Sequence, residues 1–305
     1  MLADVHCHFF SSNFFQTLGA DAMQAAPGGD PADALPQMLG WEAPGTDDEL
    51  ADRWRKELDR HRVDHAMLIA SVPGDEASVA AAARRHPTHI VGAFMFNPAA
   101  EGAASRLELA FGELGLRTAC LFPAMHKVAV DDERSVAVFE AASRHRRAVF
   151  VHCGLLSIGI RKKLGLASRF DLRFGDPLAV AAVAVRYPAV AVIIPHFGAG
   201  LFREALMAAH AAPNILLDTS SSNDWIRMYG GLTLRDVFAR ALDYLGPERL
   251  IFGTDSSFFP RGWQHGVCDI QRAILEDLGT APTAQALVFG GNFSRVFGIR
   301  PSDVS

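Results

Sequence analysis

Two histidines stand two positions apart near the start of the chain, in the segment MLADVHCHFF. If this mostly apolar segment forms a β-strand, its two-residue period puts His6 and His8 on the same face. Their Cα atoms would then lie about 6.5–7 Å apart, which allows both imidazole rings to reach one metal ion. A pair of histidines in an apolar core is the other interpretation, so the rest of the chain must decide.

The composition is that of a globular protein. The 305 residues are 50% hydrophobic and 21% charged, which provides ample material for a core. The net charge of −5 offers no basic surface for a polyanion, so we expect no nucleic-acid partner. No apolar run reaches membrane-spanning length, and the opening strand-like segment carries an acid, Asp4. We therefore predict no membrane association, no secretory signal and a cytoplasmic location.

The four cysteines form no Cys-x-x-Cys pair. We interpret them as reduced, small apolar side chains; a zinc–thiolate site is the alternative. They are Cys7, Cys120, Cys153 and Cys268.

Strand-like and helix-like segments alternate along most of the chain. Eight strand candidates, each followed by a helix, lie at 2–10, 63–72, 89–98, 118–125, 148–154, 190–198, 214–221 and 249–257. Several are continuous apolar runs, which is typical of strands buried on both faces. We predict an α/β fold, a (β/α)8 TIM barrel, as one domain over 1–305 with a C-terminal helix at 282–297. A doubly wound open sheet is the alternative, but no Gly-x-Gly-x-x-Gly follows the first strand.

Residues 11–46 interrupt this alternation after the first strand. They are rich in Gly, Pro and Ala, with little periodicity, and are too many for an ordinary connection. We predict an inserted loop region, because long insertions of this kind are often binding loops or lids. Phe14, Phe15 and Trp41 would either line a pocket or pack the insertion onto the barrel rim.

Polar residues stand at the ends of five predicted strands. In a barrel of this kind, catalytic side chains come from the C-terminal ends of the strands, at one mouth. A single buried His or Asp is usually a structural group, but four histidines with aspartates at one mouth favour a functional site. These residues are His6 and His8 on strand 1, His152 on strand 5, His196 on strand 6, Asp218 on strand 7 and Asp255 on strand 8.

The segments DVHCHFF, FVHCG, IIPHFGAG, LLDTSSS and FGTDSSFF resemble the amidohydrolase superfamily, in order and each at a strand end. The likeness is to its amidohydrolase-related (amidohydrolase 2) branch, which contains aminocarboxymuconate-semialdehyde decarboxylase, and it covers nearly the whole chain. The resemblance implies that His6, His8, His152 and Asp255 hold one divalent metal ion, often zinc in this family, with manganese as the alternative. It also implies that His196 is the catalytic histidine of strand 6.

The end of strand 4 departs from the wider superfamily. Binuclear members carry a carboxylated lysine there, whereas this strand ends LFPAMHKV, with Pro123 and Met125 at its terminus. Lys127 lies two residues farther on, so a single metal ion is favoured. His126 is either a solvent-exposed loop residue or a substrate contact.

Three neutral imidazoles and one carboxylate suit a catalytic metal site. With a divalent ion the set has a charge of +1, and it leaves a coordination position for water or substrate. Zinc lowers the pKa of bound water from about 15.7 towards 7, and Asp255 could accept the proton. His196 could relay a proton or stabilise negative charge on a substrate oxygen. Asp218 would support the site from outside, orient His196 or cap the following turn.

Substrate contacts are predicted in the loops after strands 5, 6 and 8. Arg161, Arg203 and Arg261 suit a carboxylate, and Trp263 suits a planar ring. For each arginine, a solvated loop charge is the alternative.

Three functions are compatible with these residues. The leading hypothesis is a metal-dependent hydrolase that uses metal-activated water on a small carboxylate-containing or cyclic substrate. The second is a non-oxidative decarboxylase of an unsaturated or aromatic carboxylic acid, to which the branch resemblance lends weight. The third is a barrel that binds a metal or ligand without catalysis, and the complete ligand set argues against it. The resemblance also implies a homodimer as a possible assembly.

Overall fold

Eight parallel strands form the centre of the molecule. The computed structural model describes residues 1–22 and 29–299. Each strand pairs with the next one along the chain, from β1–β2 to β7–β8. The strands are β1 Ala3–Phe9, β2 His65–Ala70, β3 Ile90–Phe96, β4 Thr118–Leu121, β5 Ala148–Val151, β6 Val192–Ile194, β7 Ile215–Asp218 and β8 Leu250–Ile251.

The chain just after β8 returns to β1 and closes the sheet. The backbone N–H of Asp255 donates to the carbonyl of His6 at 2.8 Å, and that of His8 donates to the carbonyl of Ser256 at 2.7 Å. These bonds continue the parallel pairing beyond the two residues of β8. The prediction of a (β/α)8 barrel is therefore confirmed.

Helices surround the barrel and cover the outer face of its sheet. In the described ranges they are α1 Ser12–Ala22, α2 Pro31–Leu39, α3 Asp47–Arg60, α4 Glu76–Arg85, α5 Ala103–Glu108, α6 Pro123–His126, α7 Glu133–His145, α8 Gly159–Lys163, α9 Pro177–Ala184, α10 Phe202–Ala211, α11 Leu234–Leu245, α12 His265–Asp277, α13 Pro282–Ala286 and α14 Asn292–Phe297. Threonines cap two of the longest, because Thr46 and Thr233 each form a capping box. Among the described residues, no helix is long and apolar enough to cross a bilayer.

The core consists of two layers separated by the sheet. One layer packs the outward-facing strand residues against the helices, and the other fills the inside of the barrel. Phe293 and Phe297 of α14 belong to the inner layer, so the C-terminal helix closes the end of the barrel opposite the strand C-termini. All four cysteines are buried free thiols that pack in these layers. The C-terminal mouth stays open, and the polar strand ends lie there.

The described part of the insertion at 11–46 is largely helical, whereas a loop region was predicted. It contains α1 and α2, and α2 begins where the Asp30 side chain accepts a hydrogen bond from the Ala32 N–H, with Pro31 in the first turn. These capping signals are visible in the sequence, but the short helices show little periodicity. Residues 23–28 of the predicted insertion and 300–305 of the predicted domain lie outside the described residues.

Strand 4 is shorter than predicted. It ends at Leu121, because Pro123 begins α6 and lacks the N–H that a further ladder bond would need. The predicted helix at 282–297 is α13 and α14, joined by a wider helical turn over Leu287–Gly291.

Candidate metal centre and substrate cavity

His6, His8 and Asp255 meet at the mouth of the barrel. Their ligand atoms lie within 4.8 Å of one another. Nε2 of His8 is 3.1 Å from Oδ1 of Asp255, and Nε2 of His6 is 3.6 Å from the same oxygen. The period of β1 puts both rings on one face, and the pairing after β8 brings Asp255 beside them.

Ser71 determines which nitrogen of His8 carries hydrogen. The Ser71 hydroxyl donates its single hydrogen to the carbonyl of Ile69 at 2.9 Å. Nδ1 of His8, 2.8 Å from the same oxygen, must therefore donate, which leaves the lone pair on Nε2. Burial lowers the pKa of His8 and keeps the ring neutral. A lone pair and a carboxylate oxygen that face each other at 3.1 Å call for a cation between them.

Asp218 orients His6 in the same way. Nδ1 of His6 lies 2.7 Å from Oδ2 of Asp218, and both side chains are buried. Because a carboxylate only accepts, Nδ1 donates, so in the neutral ring the lone pair is on Nε2, on the side of Asp255. Partners of this kind fix the ring orientation of metal-ligating histidines. Asp218 also accepts the N–H of Ser220, so it caps the turn as well.

Asp255 is held as an anion that faces the histidines. Burial opposes its ionisation, and Oδ1 is turned toward Nε2 of His8 and of His6, where a bound cation would stabilise the carboxylate. Its second oxygen accepts a hydrogen bond from the Ser222 hydroxyl at 2.7 Å. The backbone of Asp255 is left-handed, with φ of 60°. Such strained positions cluster at functional sites.

His152 stands near this cluster but outside the group of three. Its ring is buried, and within the described residues its Nδ1 has no hydrogen-bond partner. Burial lowers its pKa well below the ordinary histidine value, so the ring is neutral. Its ring centre lies 5.4 Å from that of His196. A buried imidazole nitrogen with no protein partner fits a metal ligand.

His196 lies across from His6, with 5.0 Å between the ring centres. The chain makes a left-handed turn here, since His196 and Phe197 have φ of 54° and 53°. Nδ1 of His196 is 2.9 Å from the Ser220 hydroxyl. Burial lowers the pKa of His196.

Asp4 ties β1 to the segment after β8 beneath the centre. Oδ1 accepts the N–H groups of His6 at 2.9 Å and Thr254 at 3.1 Å. Oδ2 accepts the Thr254 hydroxyl at 2.6 Å and the Trp263 indole N–H at 2.7 Å. Burial raises the pKa of Asp4 to about 6. Trp263 is buried in this contact and does not line the cavity, so the predicted stacking on substrate is not what the structure provides.

A cavity of about 1280 Å³ opens above the centre. Its aromatic wall comes from the residue after β1, from the insertion and from the loop after β8, and consists of Phe10, Phe14, Trp41 and Phe258. Phe10 stacks on Phe14 at 4.1 Å, and Trp41 stacks on Phe258 at 3.9 Å. Phe15 packs behind this wall. Cations outnumber acids among the charged residues that line the cavity, which are Lys127, Arg161, Lys163, Arg169 and Arg261 against Asp224 and Asp255.

The three predicted arginines have different positions. Arg261 lines the cavity, donates to the Ser257 hydroxyl at 2.7 Å and lies 4.4 Å from the ring centre of Phe258. Arg161 of α8 also lines the cavity. Arg203 does not, because its side chain on α10 is 83% exposed and pairs with the neighbouring Glu204. The structure therefore corrects the expectation of substrate contact for Arg203.

Sequence reasoning missed the serines that hold the site. Ser71 follows β2, while Ser220 and Ser222 lie in the DTSSS segment after β7. Their position at strand ends was the available signal. Which ring each hydroxyl contacts depends on strands far apart in the chain.

The comparisons with known proteins agree with this geometry. A family model described as Amidohydrolase matches residues 3–299, nearly the whole chain. The chain belongs to the amidohydrolase family. It is accordingly a metal-dependent enzyme of a family that acts on small molecules. A comparison with curated proteins gave no match.

Several solved structures share the fold of this amidohydrolase. A 5-carboxyvanillate decarboxylase from Sphingomonas paucimobilis is 17% identical, with a TM-score of 0.65 over 98% of this chain and 99% of that one. An amidohydrolase from Burkholderia multivorans with bound zinc is 16% identical, with a TM-score of 0.66 over 98% and 100%. A dihydroxybenzoic acid decarboxylase from Polaromonas sp. JS666, with bound manganese and 2-nitroresorcinol, is 17% identical, with a TM-score of 0.60 over 100% and 99%.

The end of β4 in this amidohydrolase offers no lysine directly after the strand. Lys127 follows α6, has a left-handed φ of 55° and lines the cavity. Nδ1 of His126 is buried without a partner among the described residues, and burial lowers the pKa of this ring to about 4. Within residues 1–22 and 29–299, His6, His8 and Asp255 form the one group of three that could hold a metal ion.

Proposed function

We propose that this amidohydrolase is a mononuclear, divalent-metal-dependent hydrolase of a planar, carboxylate-bearing small molecule. The observation that carries the proposal is the convergence of three electron-pair donors: Nε2 of His6, Nε2 of His8 and Oδ1 of Asp255. With His152 as the fourth ligand, the set has the imidazole and carboxylate chemistry that zinc prefers and manganese tolerates. The bound metal would act as a Lewis acid and lower the pKa of water.

The chain's own groups around this centre accept protons. Asp255 receives a hydrogen bond from Ser222, and its other oxygen faces the histidine nitrogens. His196 is neutral, because burial lowers its pKa. A site that presents acceptors suits the removal of a proton from water. Asp255 would take that proton, and His196 would accept it from Asp255 and deliver it to the leaving group. This property favours hydrolysis.

The cavity lining supports a carboxylate-bearing substrate. Arg261 and Arg161 line the cavity. Arg261 lies in the loop after β8, which also contains Asp255. A guanidinium recognises a carboxylate through paired, charge-assisted hydrogen bonds. The aromatic wall provides flat apolar faces, against which a planar ring packs.

A second candidate is non-oxidative decarboxylation of an aromatic acid. The combination of the aromatic wall with five cations supports it. In that reaction the bond from the ring carbon to the carboxylate breaks, carbon dioxide leaves, and a proton takes its place on carbon. No water proton is released in this reaction to load His196 or Asp255, so one of them would have to carry a proton from the start, whereas both are arranged here as acceptors.

One screen separates the two candidates. The purified protein would be analysed for metal, stripped with a chelator, reloaded with zinc or manganese, and tested on esters, amides and lactones beside aromatic carboxylic acids. We expect about one ion per chain, since one ligand set is present, and hydrolysis that returns with the metal. Carbon dioxide release without hydrolysis would favour the second candidate. Absence of metal without rescue would exclude both.

Asp255→Asn provides the matched control for this screen. Asparagine adopts the left-handed conformation that φ of 60° requires, so the fold should persist. Turnover should be lost, because the amide cannot take the proton. Full activity of this variant would remove Asp255 from the mechanism.

We also infer a cytoplasmic location, which the four free thiols support. Light scattering would test the homodimer that the family resemblance suggests.

A further inference from the structure

Ser220 stands between two histidines that have different proposed tasks. It follows β7 by two residues and is fully buried. Its backbone N–H donates to Oδ1 of Asp218 at 2.7 Å, which fixes its position. Its hydroxyl oxygen lies 2.8 Å from Oδ2 of Asp218, 2.9 Å from Nδ1 of His196 and 3.0 Å from Nδ1 of His6.

The three contacts match the bonding capacity of one hydroxyl group. A serine hydroxyl has one hydrogen to donate and two lone pairs to accept with. The Asp218 carboxylate can only accept, so the hydrogen of Ser220 points at Oδ2. Both imidazole Nδ1 atoms must then be donors. For His6 this agrees with its shorter contact to the same carboxylate.

The opposite arrangement would leave two acceptors in contact. If the Ser220 hydroxyl donated to His196, a serine lone pair would face Oδ2 of Asp218 at 2.8 Å in a fully buried site. Two buried acceptor oxygens at that distance repel each other, although Oδ2 still accepts the Nδ1 hydrogen of His6. The contact distances therefore select the arrangement in which His196 carries hydrogen on Nδ1.

We propose that Ser220 is a positioning residue that fixes the tautomer of His196, with hydrogen on Nδ1 and the lone pair on Nε2. The role of this lone pair as a proton acceptor rests on the proposed function. Through Ser220, one carboxylate, Asp218, orients both a metal-ligand ring and the ring that moves protons. His6 and His196 are thus held by one hydrogen-bonded pair, Asp218 and Ser220.

The test reads the tautomer directly. In zinc-loaded protein with ring-¹⁵N-labelled histidine, two-bond ¹H–¹⁵N spectra distinguish the two nitrogens, and the His196 signals are assigned by their loss in His196→Gln. We expect hydrogen on Nδ1 in the unmodified protein and in Ser220→Thr, which keeps the hydroxyl. In Ser220→Ala we expect a mixture of tautomers. Ser78→Ala, which removes another buried serine hydroxyl, should leave the His196 signals unchanged.

Kinetics provides the second readout. Ser220→Ala should lower kcat about 10- to 100-fold, as removal of a supporting partner does, while KM and zinc content stay the same because Asp218 still holds His6. Hydrogen on Nε2 of His196 in the unmodified protein would overturn the proposal, whatever the variants do. An unchanged single tautomer in Ser220→Ala would also overturn it. Since the spectra need no substrate, failure of the proposed hydrolysis and failure of this proposal are distinguishable.

Discussion

Nδ1 of His6 lies 2.7 Å from Oδ2 of Asp218, although 212 positions separate the two residues. Their strands, β1 and β7, are not neighbours, because β8 runs between them. The two side chains meet over the backbone of Gly253, just after β8. A Cβ atom on Gly253 would lie 2.4 Å from Oδ1 of Asp218 and 3.0 Å from Cβ of His6. The contact between Asp218 and His6 therefore requires glycine at position 253, because any side chain there would collide with both residues.

Asp218→Asn should weaken metal binding. The amide is a poorer acceptor than the carboxylate for the Nδ1 hydrogen of His6, so the ring is held less firmly and is less basic. We expect zinc affinity to fall about 10- to 100-fold, measured by competition with a coloured chelator. Asp243→Asn, a charge loss on the exposed face of α11, is the control. Equal zinc affinity of both variants would contradict the orienting role of Asp218.

Gly253→Ala should damage the same contact by a steric route. The added methyl group has no room beside Asp218 and His6, and overpacking of this kind typically costs about 1–3 kcal/mol of unfolding free energy. We expect a lower denaturation midpoint together with reduced zinc content. Gly266→Ala is the matched control, because that helical position in α12 is open on all sides. There alanine should stabilise the protein slightly, by up to about 1 kcal/mol.

Arg261→Met should impair substrate binding, whereas Arg203→Met should not. A hydrogen bond to a charged group contributes about 1.5–3 kcal/mol, so loss of the Arg261 guanidinium should lower kcat/KM for a carboxylate substrate about 10- to 100-fold. Arg203 is solvated and paired outside the cavity. Steady-state kinetics on both variants checks this, and a larger effect at Arg203 would contradict the positions described above.

Asp75 should make stability depend on pH. It is buried between the insertion and the loop after β2, where it accepts hydrogen bonds from Ser11 at 2.6 Å and Asn13 at 3.2 Å. Burial raises its pKa from 3.8 to about 6. The Asp75 carboxyl group therefore loses its proton at a lower pH in the unfolded chain than in the folded protein. Its contribution to the free energy of unfolding falls as the pH rises between these two pKa values.

The shift of about two pKa units corresponds to a loss of about 3 kcal/mol, at roughly 1.4 kcal/mol per unit. Asp75→Asn lacks this titration, so the unfolding free energy of the unmodified protein minus that of the variant should decrease by about this amount between pH 3 and pH 7. Urea unfolding at several pH values measures the difference. A difference that stays constant with pH would show that Asp75 titrates normally in the folded state.

The barrel and the polar residues at its strand ends could be predicted from local patterns in the chain. Apolar runs at regular intervals indicated strands buried on both faces, and parallel strands in a barrel bring their C-terminal ends to one side. His6 and His8 share a face because of the two-residue period of β1, and Asp255 joins them because the chain after β8 pairs with β1. These relations follow from backbone geometry, which local sequence patterns encode.

The contacts that the side chains at this mouth make depend on packing between distant parts of the chain. Hydroxyl partners such as Ser220 could not be assigned in advance, because their contacts join strands distant in the chain. Trp263 turned inward to the buried Asp4, while Arg203 turned to solvent. Loop side chains have no repeating period that fixes their direction, so packing against other elements decides it. The insertion likewise became helical and supplied one wall of the cavity, which its weak periodicity did not indicate.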